Sequence, residues 1–151
     1  MTAPATAPPP SGLTGARSKA LLVYIGLTGL FILGIWVAFA LAGSGVFGLN
    51  HHNLVAKHLD KQTGLDPHRA VGSILGLVGL LMLIAVIVAR PGRNLVIGTV
   101  AVFLLAGIGQ PLFAGIGEDH RWGGALHVLN AGVILVLAFW LHLTARKVPR
   151  A

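Results

Sequence analysis

The sequence predicts an all-α membrane protein, a four-helix up-and-down bundle with both termini on the cytoplasmic side. Three observations carry that expectation. The chain has 151 residues, 55% of them hydrophobic and only 10% charged, whereas a soluble domain carries charge on about a quarter of its residues. The apolar residues gather into runs at 20-41, 70-89, 95-114 and 125-143, each close to the roughly 20 residues that cross a bilayer core. Lysine and arginine concentrate beside alternate ends of those runs, as the topology of an even number of spans requires.

Each element can be justified in chain order. Residues 1-19 include Pro8-Pro9-Pro10 among alanines and threonines, have little to bury, and are expected to form a disordered cytoplasmic tail. The first span follows Arg17 and Lys19. It ends near Ala40-Leu41-Ala42, which resembles a signal-peptidase site, but the apolar run exceeds the roughly 7–15 residues of a cleaved signal, so a retained helix is expected. The loop from Ala42 to Asp66 is long for a bundle, and Asn53 to Lys61 has the pattern of a short amphipathic helix on the membrane surface.

Asp66-Pro67 opens the second span as an N-cap acid followed by proline at the first helical position, which sets His68 and Arg69 on the first turn. The short turn Arg90-Pro91-Gly92-Arg93 makes the second and third spans antiparallel neighbours. Gln110-Pro111 puts an amide and a kink into the third. Glu118-Asp119-His120-Arg121 precedes the fourth span much as Asp66-Pro67-His68-Arg69 precedes the second, a hint of two related hairpins. Trp122, Trp140 and His142 read as interfacial residues of the fourth span, and residues 146-151 form a basic cytoplasmic tail. The domain is thus 20-145. Small residues at helical spacing, Gly26 and Gly29, then Gly72, Gly76 and Gly79, then Gly124 and Gly132, suggest close helix approach or room for a flat ligand.

The formal charge of +7 does not indicate nucleic acid, because the basic residues form no stripe or aromatic-interleaved patch. Arg17, Lys19, Arg90, Arg93, Arg146, Lys147 and Arg150 mark three cytoplasmic segments, and the expected location is the inner (plasma) membrane, multi-pass. Asp60, Asp66, Glu118 and Asp119, the four acids of the chain, all lie in opposite, outer segments. With no acid inside a span, neither a transport pathway nor a hydrolytic constellation can be assembled there, and the chain is not expected to be an enzyme on its own. There is no cysteine, so thiolate metal sites and disulfides are ruled out.

All histidines except His142 fall at the outer end. His127 lies within an apolar span, where an imidazole requires a partner, and Asn130 shares its helix face. If His68 faces the same cavity, imidazoles from the second and fourth helices, diagonal in such a bundle, approach one metal from opposite sides. That ligation suits haem b, with Arg69 pairing a propionate and Gln110 as a lining amide. The alternatives are a solvated His68, His120 in place of His127, and a cofactor-free contact of His127 with Gln110. His51, His52 and His58 in the loop lack the carboxylate or cysteine company of a zinc or copper site.

The same residues carry a resemblance. His68-Arg69-Ala70-Val71-Gly72, Gln110-Pro111-Leu112 and Leu126-His127-Val128-Leu129-Asn130-Ala131 resemble the segments of a family of small, uncharacterised bacterial four-helix membrane proteins, over roughly residues 20 to 145. Beyond that family, the arrangement is similar to half of a haem A synthase, in which a His-Arg on one helix and a histidine two helices on bind haem near the outer face. Gly64 stands where that enzyme carries an acid, so the resemblance implies haem binding rather than synthase activity. Two function classes follow. One is a b-type haem protein that passes or senses electrons with a membrane protein partner or a quinone. The other is a cofactor-free accessory or structural membrane subunit.

Overall fold

The computed structural model describes residues 12–48 and 65–150. Four helices make up the fold: α1 (Gly15–Gly48), α2 (Asp66–Ala89), α3 (Arg93–Asp119) and α4 (Arg121–Arg146). All four are long and apolar enough to cross a membrane. The chain is an all-α four-helix bundle, and its composition is that of a small multi-pass membrane protein. α1 packs on α2 and α4, and α3 packs on the same two, so α2 and α4 face each other across one diagonal.

The helices run past the apolar segments that announce them. α1 begins at Gly15, inside the segment read as a tail, and continues through Ala42-Gly43-Ser44, read as the start of a loop. Ser44 helps carry the helix on by donating its hydroxyl to the Leu41 carbonyl at 3.0 Å. The surface helix expected at Asn53 to Lys61, together with His51, His52 and His58, lies outside the described residues. Asp66 is the first helical residue of α2 rather than its cap; Leu65 holds the cap position and no side chain caps the turn. The Asp66 carboxylate still sits where the helix dipole favours it.

The two tight connections have local causes. Between α2 and α3, Arg90 adopts a left-handed conformation (φ 47°) and Gly92 has φ 145°, the latter open to glycine alone. Between α3 and α4, His120 is the one extended residue (φ −131°, ψ 125°). Turning in so little chain forces the helix ends together, and Gly117 and Gly123 make this feasible. A Cβ on Gly123 would lie 2.6 Å from the Gly117 nitrogen and from the Ile116 carbonyl carbon. Gly123→Ala is therefore expected to destabilise the fold by about 1–3 kcal/mol, the usual cost of overpacking, measurable as a lowered thermal midpoint in detergent.

Close helix approach falls mainly at glycines other than those the spacing singled out. Gly34 accepts the Leu75 side chain, and Gly98 accepts Trp140 and Leu141. Gly29 and Gly79 make ordinary contacts, while a Cβ on Gly26, Gly72, Gly76, Gly124 or Gly132 would meet nothing within 4 Å.

The core is densest toward the end that carries both termini, where the Leu13 amide donates to the Pro149 carbonyl at 3.1 Å. Leu21, Phe31, Met82, Val86, Val102 and Leu141 are fully buried there. Two polar contacts stitch this half. Thr99 gives its proton to the Leu95 carbonyl (2.7 Å) and so accepts from the Tyr24 hydroxyl (2.6 Å), joining α1 to α3. Thr28 likewise donates to the Ile25 carbonyl (2.9 Å), so His142 donates through Nδ1 to Thr28 (2.9 Å), joining α1 to α4. His142, read from sequence as interfacial, is thus an internal tie. The outer surface of every helix is hydrocarbon: Leu33, Ile74, Ile97, Leu129 and Val136 are all more than half exposed. So continuous an apolar exterior suits lipid and would aggregate in water.

Candidate functional site

His68 and His127 meet at the end opposite the termini. His68, on the first turn of α2, donates through Nδ1 to the Ala38 carbonyl of α1 at 2.9 Å. His127, on α4, does the same to the Gln110 carbonyl of α3 at 3.1 Å. Since a carbonyl only accepts, both imidazoles carry their proton on Nδ1 when neutral. The Nε2 atoms are left as acceptors, with no protein partner among the described residues. Each histidine leans on the neighbouring helix, and the two rings come together across the α2–α4 diagonal with centres 6.1 Å apart and planes at 71°.

The backbone that receives His127 is unusual. Pro111 has no amide proton and its ring crowds the carbonyl four residues back, so α3 cannot stay a regular α-helix. It opens into a π segment, Leu105–Gly109, and the Gln110 amide reaches back to the Leu105 carbonyl. Asn130, one turn after His127, donates its Nδ2 to that same carbonyl at 3.1 Å. The shared face of α4 thereby grips α3 on both sides of the break. Gly109 allows the grip, because a Cβ there would lie 3.2 Å from Asn130 Nδ2. π segments of this sort recur at functional positions.

The structure places the remaining expected residues as follows. His127 bonds to the main-chain carbonyl of Gln110 rather than to its side chain, whose buried Oε1 has no hydrogen-bond partner among the described residues. Arg69 is held by Glu118 at 3.3 Å and by Asp66 at 3.7 Å, all three partly exposed, so the guanidinium ties α2 to the end of α3. His120 stacks on Trp122, ring centres 6.0 Å apart, and is exposed. It takes no part in the pair.

Sequence reasoning missed the acceptors Ala38 and Leu105, because a backbone carbonyl has no side-chain signature. Pro111 was the available signal for the π segment, and nothing marked Thr28 as the partner of His142.

Chemically, the pair offers two imidazole nitrogens of fixed tautomer. An ion held between two imidazoles at roughly 2.0 Å each keeps the ring centres about 6 Å apart, which the observed spacing matches. Hydrogen bonds from Nδ1 to main-chain carbonyls are the usual means of orienting such ligands. Among the described residues no group of three metal-ligating side chains gathers. Compared with family models, curated proteins and solved structures, the chain matches none.

Proposed function

We propose that this protein is a small b-type haem protein of the plasma membrane, with His68 and His127 as axial ligands. The observation that carries the reading is the pair itself: rings 6.1 Å apart on diagonal helices, each oriented by an Nδ1 bond to a backbone carbonyl and each with an Nε2 that has no partner among the described residues. Two protein ligands satisfy a metal that brings its own equatorial nitrogens, whereas a bare zinc site takes three or four protein ligands. The likeness of the His-Arg and Leu-His-x-x-Asn-Ala segments to half of a haem A synthase points the same way.

When bound, haem supplies a one-electron carrier; the chain supplies its ligands, their orientation and an apolar surround. Asn130 and the π segment position His127, and Ala38 positions His68. Arg69, paired with two carboxylates, stands at the rim as a bridge between helices rather than as a committed propionate partner. The lysine and arginine asymmetry sets the termini in the cytoplasm, so the site lies toward the outer face. A quinone or a membrane protein partner would exchange electrons with it from the bilayer or the outer surface.

A second reading has its own observation. His127 and Asn130 both donate to the α3 backbone at the proline break, a contact that would serve a cofactor-free accessory subunit equally well. The reduced-minus-oxidised absorption spectrum of detergent-purified protein from haem-replete cells separates the two. The haem reading predicts a low-spin b-type spectrum at close to one haem per chain, and a colourless folded protein sinks it.

A further inference from the structure

The half of the bundle that carries the termini holds a feature independent of the histidine pair. A groove of about 350 Å³ runs between α1 and α2, walled by Ala20, Val23 and Leu27 on one side and by Ile84, Ala85 and Val88 on the other. The two alanines make the hollow, and the larger side chains form its lips. Val23, Ile84 and Val88 are about half exposed (56%, 51% and 50%), so the groove opens sideways into the surrounding hydrocarbon. From Ala20 to Leu27 it descends about 10 Å at the helical rise, against roughly 15 Å for half of a bilayer core.

Cationic residues cluster at the same end of α1 and α2 as the groove. Lys19 adjoins Ala20 and shares the face of Val23 one turn on; Arg90 ends α2 just past Val88 and is exposed, as are Arg17 and Arg93. Among the described residues none of these four pairs with a carboxylate, since the ion pairs both belong to Arg69 at the far end. Asp66, at the other end of α2, is roughly 36 Å from Arg90 along the helix. A hydrocarbon slot spanning about two thirds of a leaflet, at the end of the bundle where these cations lie, selects a ligand with an apolar chain and an anionic head.

We propose that this groove is a binding site for one anionic phospholipid, its acyl chain between α1 and α2 and its phosphate against Lys19 and Arg90. Cationic pockets between membrane helices are a recurrent way of holding such headgroups. The lipid would fill the α1–α2 seam at the end where the core is densest, and so stabilise the bundle.

Native mass spectrometry of the full chain, released from micelles containing equal phosphatidylglycerol and phosphatidylcholine, tests this. The expected result is one retained phosphatidylglycerol per chain in clear preference to phosphatidylcholine. Lys19→Gln and Arg90→Gln, both at exposed positions, should each weaken retention about five-fold while helical content stays unchanged. Ala85→Phe, which fills the groove, should abolish retention. Equal retention of the two lipids, or undiminished preference in the double charge variant, overturns the proposal. So does a dimer that Ala85→Phe converts to a monomer without lipid selectivity, which would assign the groove to a second copy of the chain. Loss of fold in Ala85→Phe leaves the decision with the charge variants.

Discussion

His68→Ala and His127→Ala are each expected to leave a folded but haem-free protein, whereas His120→Ala retains its full haem content. On the proposed haem reading either substitution would remove one of the two residues that would hold the iron, while the remaining imidazole keeps its Nδ1 bond to a backbone carbonyl. Folding survives because each lost hydrogen bond is worth about 0.6 kcal/mol on average between membrane helices, and under about 2 kcal/mol at most. His120 lies on the same end of the bundle but stacks on Trp122, so it controls for a general effect of removing an imidazole there. Haem per chain, with helical content measured on the same samples, checks all three variants.

Asn130→Ala is expected to act on the same site without touching it. Asn130 is 7% exposed and donates to the Leu105 carbonyl at the start of the π segment; five residues on, the Gln110 carbonyl receives His127. Removing the amide frees the π segment to rearrange, and the acceptor that orients His127 shifts with it. Loss of such an orienting partner typically costs 10–100-fold in metal affinity. Haemin titration of the apoprotein should therefore show an affinity lower by about ten-fold or more, with a stability loss of only about 1–2 kcal/mol. A variant that binds haemin as the parent does, at any stability, would show that the π segment supports packing alone.

How much of this was legible in the sequence follows from what each signal physically measures. Hydropathy marks the bilayer core, so four apolar runs located four helices but not their ends. Gly115, Gly117 and Glu118 carry α3 beyond Ala114 because a helix persists in the polar interface where the apolar pattern has stopped. Asp66-Pro67 located the start of α2 to within one residue. The diagonal placement of His68 and His127 followed from the expected up-and-down topology, in which the short turn Arg90-Pro91-Gly92-Arg93 makes the second and third spans antiparallel neighbours; the one-residue link at His120 was not legible, because the apolar runs stop at Ala114 and resume at Ala125. The partners of those histidines were not legible either, since Ala38 and Gln110 receive them through main-chain carbonyls. Helix register decides which carbonyl lies opposite a given side chain, and no local pattern encodes it. The same blindness hid the tie from His142 to Thr28. Glycine spacing misled because exposure to lipid and close packing leave the same small-residue stripe; Gly34 and Gly98 pack tightly, while Gly72 and Gly132 meet nothing.

The most direct test of the central claim is the low-temperature electron paramagnetic resonance spectrum of the oxidised, purified protein. Two imidazoles on one ferric haem give a low-spin signal, and planes at 71°, held by their Nδ1 bonds, should make it the highly anisotropic kind that near-perpendicular axial rings produce. That signal, at close to one spin per chain, is the predicted result. A high-spin ferric signal, or no haem signal from protein made in haem-replete cells, would contradict bis-histidine ligation by His68 and His127.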